Sequence, residues 1–286
     1  MTLGEALATA RTRLERVGIQ PAEARLDVDF YARTILGWDR ARFLTSQTQP
    51  VPDALEPRFS EWIERREHHE PSAYIVGERE FWGLTLRVTP AVLIPRPETE
   101  FIVEEALRLV RAEPPAASLR MADIGTGSGC IAVALAHELP QARLVATDVS
   151  ADALVIASEN ASRHGVANRI DIVQTSYLDG VDGVFDVIAA NPPYVREGDK
   201  PALARDVRHE PDVALFGGPT GLRHIDAVLD SAVEKMRPGG WFVMEFGFGQ
   251  EDQVRELVDA RPELRLDHVR ADLQGLPRTA IMQRRG

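Results

Sequence analysis

Apolar residues recur at helical spacing from the start of the chain: Leu3, Leu7, Ala10, Leu14 and Val17 share one face, and Leu55, Phe59, Trp62 and Ile63, with Arg66, mark another. Pro21, a residue suited to a first helical turn, starts a helix between them. Residues 1 to about 72 therefore read as a small helical bundle. The period then changes. Leu84, Leu86 and Val88 alternate before Thr89-Pro90-Ala91 and are followed by Val92-Leu93-Ile94, which predicts a hairpin linker in which Phe81 and Trp82 serve packing. From about residue 98, helical and strand-like stretches alternate as in an α/β sheet. Pro97 opens a helix carrying Phe101, Ile102, Ala106 and Leu109 on one side. Short apolar runs at 121–124, 143–147 and 184–190 read as strands, as do 241–245 and segments near 264–268 and 278–283. Helices are expected from Cys130 towards Pro140, from Ser150 to about His164, from Gly221 to Met236 and near 250–260, with Pro238-Gly239-Gly240 as a turn. Residues 195–219, rich in charge, Gly and Pro, read as a lid, a binding loop or a disordered stretch. The expected organisation is thus a helical domain over 1–75, a β-hairpin linker over 76–97 and an α/β domain over 98–286.

Composition narrows the function classes. Against 33 basic residues stand 44 acidic ones, a net charge of −11, an awkward balance for a protein whose main partner is a polyphosphate. The first 75 residues hold 10 Arg and 12 acidic residues, so they are no basic arm. No apolar stretch approaches the ~20 residues needed to span a bilayer, and the start Met1-Thr2-Leu3-Gly4-Glu5 lacks the charged region and apolar core of a secretion signal. A single cysteine excludes an internal disulfide and suits the cytoplasm, the expected location. Cys130 stands at a helix start, but its apolar neighbours favour a small packing residue. The two lysines, Lys200 and Lys235, lie in no Schiff-base or P-loop motif, and His68-His69 read as solvated surface. No metal site is expected.

Two motifs carry chemistry. Strand 121–124 runs into Gly125-Thr126-Gly127-Ser128-Gly129 and then an apolar helix, the nucleotide-binding entry of an α/β fold. The third glycine comes one residue earlier than in G-x-G-x-x-G, a spacing that favours S-adenosylmethionine over a dinucleotide. Asp148, at the next strand's end and about twenty residues on, can accept from ribose hydroxyls. Asp123 can equally tie the glycine loop together or meet the methionine amino group.

The second motif is Asn191-Pro192-Pro193-Tyr194, directly after the strand 184–190. A carboxamide or aromatic amine nitrogen has a delocalised lone pair, so alkylating it requires both hydrogens to be held. The Asn191 side-chain oxygen can hold one and the Pro192 carbonyl the other, since Pro193 extends its predecessor and neither proline has an N–H. Tyr194 would stack on the flat group. Read alone, the motif admits glutamine and adenine equally, or a mere turn that ends a strand.

Tyr74-Ile75-Val76-Gly77, Glu80-Phe81-Trp82-Gly83-Leu84, Val92 to Glu100, Asp123 to Gly129 and Asn191 to Tyr194 occur in this order in the peptide-chain-release-factor glutamine methyltransferases, the PrmC/HemK family, which this chain resembles. Glu210-Pro211, Ala214-Leu215, Gly217-Gly218, Gly221-Leu222 and Glu245-Phe246-Gly247 are also similar. The proline-rich Ile94 to Glu100 segment is the more specific signature; Asn-Pro-Pro-Tyr is shared with enzymes that methylate adenine in DNA. The resemblance implies a Rossmann-like class I methyltransferase sheet with a late inserted antiparallel strand. It implies methyl transfer from S-adenosylmethionine, leaving S-adenosylhomocysteine, to the glutamine amide in the Gly-Gly-Gln loop of a release factor, with the N-terminal bundle recognising that factor. By resemblance, Gly125, Thr126, Gly127, Ser128, Gly129, Asp148, Tyr177 and Asn191 bind the cofactor, joined by Asp123, Arg96, Pro97, Glu98 and Thr99. Asn191, Pro192, Pro193 and Tyr194 hold the glutamine. Relatives often carry an acid just before the adenine contact. Here Ser176 precedes Tyr177, leaving a hydroxyl or a swung-in Asp179 for that work. A monomer is expected, with no membrane and no direct nucleic acid; the alternative is a nucleic-acid adenine amino methyltransferase.

Overall fold

The computed structural model describes residues 1–112 and 118–286. Contacts divide it into two units: Met1–Gly77 with Arg205–His209, and Glu78–Ala204 with Glu210–Gly286. In the first unit, α1 (Leu3–Arg16), α2 (Pro21–Leu36), α3 (Arg40–Thr45), α4 (Arg58–Glu67) and α5 (Ser72–Val76) enclose an apolar centre that includes Leu3, Leu7, Leu14, Tyr31 and Ile63. Thr2 and Glu5 form a capping box at the start of α1, and Pro21 occupies the first turn of α2. Arg66 is 3% exposed yet charged; it is held by Asp27 at 2.7 Å and by Glu23. The segment 205–209 joins this unit through Arg205 on His69 at 3.0 Å, a long-range association that the loop composition of 195–219 concealed.

The second unit starts with the hairpin β1 (Glu78–Phe81) and β2 (Leu84–Arg87). Its turn is Trp82-Gly83, both at positive φ, and Val92-Leu93-Ile94 is not a strand. The expected pairing across Thr89-Pro90-Ala91 is therefore corrected by a two-residue turn whose twist suits the strands better. There follow α6 (Glu100–Ala112), β3 (Leu119–Ile124), α7 (Cys130–Glu138), β4 (Ala142–Asp148), α8 (Ala151–Arg163), β5 (Ile170–Gln174), β6 (Phe185–Ala190), α9 (Asp212–Leu215), α10 (Arg223–Lys235), β7 (Met236–Glu245), α11 (Glu251–Asp259), β8 (Leu264–Ala271) and β9 (Pro277–Arg284).

Seven strands form one sheet in the order β5-β4-β3-β6-β7-β9-β8, with β9 antiparallel to both neighbours. This is the Rossmann-like class I methyltransferase sheet with its late inserted strand, and helices bury both faces. Pro238-Gly239-Gly240 is no terminal turn but a bulge inside β7: Phe185 pairs with Met236, and Val187 already with Trp241. Arg237 closes the bulge on Asp186 at 2.5 Å. Among the described residues no helix is long and apolar enough to cross a membrane. The carboxyl ends of β3, β4, β6 and β7 bring Ile124, Asp148, Ala190 and Glu245 to one edge, where doubly wound sheets bind ligands.

Candidate active site

At that edge a cleft of about 1140 Å3, counted to its open mouth, is lined by the glycine loop from Gly125 to Ser128, by Asp148, by Ser176 and Tyr177, and by Asn191, Pro192 and Pro193. The opposite wall is the segment before α6, including Val92, Pro95, Arg96 and Thr99. Glu210, buried, fixes that wall by accepting from the Ile94 N–H at 3.0 Å and pairing with Arg96.

The loop owes its shape to local chemistry. Gly125, Gly127 and Gly129 all have positive φ, and a Cβ on Gly129 would lie 3.1 Å from the Ala157 backbone of α8. Asp148 grips the loop, accepting from the Gly127 N–H and the Ser150 N–H, each at 2.9 Å. Beneath it, fully buried Asp123 accepts from the Thr126 hydroxyl at 2.6 Å and the Ala132 N–H at 3.2 Å. Of the two uses open to Asp123, this geometry is the tying one, and its side chain does not line the cleft. Burial pushes its carboxyl up to about 7, against the two hydrogen bonds, with Asp148 adding repulsion. Asn160 of α8 binds the loop to the hairpin: its Nδ2 donates to the Ser128 and Arg87 carbonyls at 2.8 and 3.0 Å, and its Oδ1 accepts from the Arg87 N–H at 2.7 Å. Burial pushes the Cys130 thiol up to about 12, so it stays protonated at neutral pH.

Tyr177 holds a positive φ of 51°, its carbonyl accepting from the Thr147 hydroxyl at 2.6 Å. Its own hydroxyl is 3.0 Å from His224 Nδ1, and His224 also lines the cleft. Burial and then Arg223 hold the His224 imidazole below its ordinary pKa, so it is neutral at pH 7. Nothing in the sequence around Leu222-Arg223-His224 marked it, because α10 reaches the cleft only through the sheet. Asp179 is exposed and does not line the cleft, leaving Ser176 as the residue present there.

Asn191 is tied to the protein behind the cleft. Its Nδ2 donates to Thr99 Oγ1 at 3.0 Å; the Thr99 hydroxyl donates to Glu245 Oε2 at 2.7 Å. One hydrogen of the amide nitrogen is therefore bound within the protein. Tyr194 differs from its expected stacking role: it does not line the cleft, and its hydroxyl donates inward to Glu245 Oε1 at 3.1 Å. The fold packs tightly behind it. A Cβ on Gly221 would lie 2.3 Å from the Tyr194 carbonyl, and one on Gly247 2.9 Å from its ring. Gly129 likewise supports the loop from behind, while Pro97 and Glu98 belong to the turn that starts α6; none of the three lines the cleft. Among the described residues no group of three or more His, Cys, Asp or Glu could hold a metal.

Residues 5–77 match the family described as PrmC N-terminal domain, and residues 106–214 match the one described as Methyltransferase small domain. The chain is 40% identical to the release factor glutamine methyltransferase of Moorella thermoacetica over 290 residues, covering 100% of this chain and 99% of that one. With the protein of the same name from Bradyrhizobium diazoefficiens it shares 39% over 278 residues, covering 96% and 94%. Among solved structures, the hMettl16 catalytic domain in complex with MAT2A 3'UTR hairpin 6 superposes with a TM-score of 0.57 at 16% identity, over 77% of this chain and 81% of that one. The ribosomal protein L11 methylase from Lactobacillus delbrueckii subsp. bulgaricus gives 0.51 at 22% identity, over 70% and 86%. At such identities these two likenesses concern the fold.

Proposed function

Because the chain belongs to the release factor glutamine methyltransferase family, we propose that it moves a methyl group from S-adenosylmethionine to the side-chain amide nitrogen of the glutamine in a release factor's Gly-Gly-Gln loop. The cleft fits such a cofactor. Ser128 Oγ is buried in its wall without a partner, the loop offers backbone that no side chain shields, and Asp148 retains lone pairs for hydroxyls. When bound, S-adenosylmethionine supplies an activated methyl group. Gly125 to Gly129 and the start of α7 would receive its amino-acid end, Asp148 its ribose, and Tyr177 with neutral His224 its adenine.

The observation that carries the substrate reading is the orientation of Asn191. With one Nδ2 hydrogen given to Thr99, the nitrogen end of the amide is turned to that wall and its oxygen is left for the cleft. Beside it, Pro192 offers its carbonyl, and neither proline has an N–H. Two such acceptors suit an NH2 group, whose hydrogens become more acidic as the nitrogen lone pair leaves conjugation; acceptors already in place stabilise that change. Positioning of this kind can supply ~7–11 kcal/mol of a barrier without a strong base. The proton leaves afterwards to solvent. We assign recognition of the release factor to the N-terminal helical domain, residues 1–75.

The test is methyl transfer from labelled S-adenosylmethionine to three acceptors: a release factor, the same factor with its loop glutamine replaced, and adenine-containing DNA. Label should enter only the first. Incorporation into the second would move the target residue, and incorporation into DNA would favour the adenine reading.

A further inference from the structure

Glu245 ends β7 behind the cleft, 1% exposed, and its carboxylate accepts two hydroxyl hydrogens, from Thr99 at 2.7 Å and from Tyr194 at 3.1 Å. Thr99 is itself 2% exposed and accepts from Asn191 Nδ2 at 3.0 Å. These contacts have a direction: Thr99 and Tyr194 each point a single hydroxyl hydrogen at Glu245, which accepts at both oxygens. Once Thr99 has given that hydrogen to Glu245, it meets Asn191 solely as an acceptor, and only the NH2 end of the amide can satisfy it.

We infer that Glu245 and Thr99 are positioning residues: the buried carboxylate sets the hydrogen-bond direction through Thr99 so that Asn191 presents its oxygen, never its NH2, to the substrate amide. The inference rests on the reading of Asn191 as an acceptor for that amide. A reversed Asn191 would face an NH2 group with another NH2 group, and the clamp would repel its occupant. Packing alone does not call for a carboxylate here, since burying one is costly unless its oxygens are satisfied. Among the described residues no cation touches it directly. Arg278 on the neighbouring β9 is bonded to Asp272 at 3.3 Å, while Glu98 and the Cys130 thiol add acidic neighbours. Burial lifts the Glu245 carboxyl above its ordinary value, opposed by the Thr99 and Tyr194 hydroxyls and by Arg278, with Glu98 adding a smaller lift. The polarity of one amide in the cleft is what this arrangement secures.

The experiment is a set of cycles on the full-length protein, with kcat and KM for the release factor and calorimetric affinity for S-adenosylhomocysteine. Thr99→Val keeps the shape and removes the relay; Glu245→Gln keeps the shape and lets the amide at 245 point either way. Thr99→Val is expected to lower kcat ~10–100-fold and Glu245→Gln about tenfold, within the scale of one preorganised hydrogen bond, with product affinity changed less than about threefold. Thr99→Ser should recover most of the turnover lost in Thr99→Val. In the Asn191→Ala background, neither change should lower kcat further, because there is no amide left to orient. Thermal midpoints of all variants separate loss of fold from loss of orientation. If Thr99→Val or Glu245→Gln costs the same factor with and without Asn191, or if the serine fails to rescue, the relay is overturned while the role of Asn191 stands. If Asn191→Ala itself leaves kcat intact, both the relay and the acceptor reading fall.

Discussion

Each oxygen of Asp148 already holds a backbone N–H, Gly127 on one side and Ser150 on the other. Asp148→Ala should therefore weaken S-adenosylhomocysteine binding by ~10–100-fold, through lost charge-assisted bonds and a looser loop together; calorimetry showing unchanged affinity would remove Asp148 from the ribose site. Asp123 makes a pH prediction. Its folded pKa of about 7 lies above the ordinary 3.8, so the folded chain holds this proton more tightly than the unfolded one. Its contribution to stability is then greatest at acid pH and falls as pH rises towards about 7. Asp123→Asn removes that slope, so its thermal midpoint relative to wild type should be higher at about pH 8 than at about pH 5. Equal differences at both pH values would contradict the buried, proton-retaining carboxyl. At this scale the sequence revealed residues whose neighbours announce them, such as Asn191 before two prolines and Asp148 after a strand. It was silent on residues that work by reaching across the fold. Thr99 meets Asn191 from 92 positions away and Glu245 from 146, and Asn160 meets Arg87 from 73; no local pattern records such pairings.

Among the elements, period and punctuation predicted most of the helices and strands, including α8 between its Ser150 cap and Gly165. The departures have geometric causes. Trp82 and Gly83 turn the hairpin because both accept positive φ, which an apolar Trp does not advertise. Pro238 stands inside β7 because a bulge relieves it of the ladder. Gly221, expected to start a helix, precedes α10 and serves close approach instead. Gly221→Ala would push a Cβ to 2.3 Å from the Tyr194 carbonyl at a φ of +77°, so the turn behind the clamp must shift. The expected cost is ~1–3 kcal/mol in urea unfolding, the usual penalty of overpacking, together with a fall in kcat. A variant with native stability and turnover would mean that this turn yields freely.

For the whole molecule, the sheet narrows the chemistry and leaves the substrate open, since the same architecture superposes on a domain solved with RNA. Charge speaks to that choice. A chain at −11 without a basic N-terminal arm should bind adenine-containing DNA no more tightly than ~10⁻⁵ M near physiological salt, the nonspecific range. Anisotropy that revealed tight, steeply salt-dependent binding would count for a nucleic-acid substrate. Within the proposed reaction, the inward commitment of the Asn191 nitrogen also bears on how the cycle ends. A pair of acceptors, the Asn191 oxygen and the Pro192 carbonyl, is satisfied by an amide with two hydrogens, and the methylated amide has one. An acceptor stranded in this way costs ~1–3 kcal/mol, so the product should be released in preference to fresh substrate, and a second methyl should not follow the first. In the proposed reaction the clamp would count hydrogens, and in doing so set both the direction and the end of the cycle.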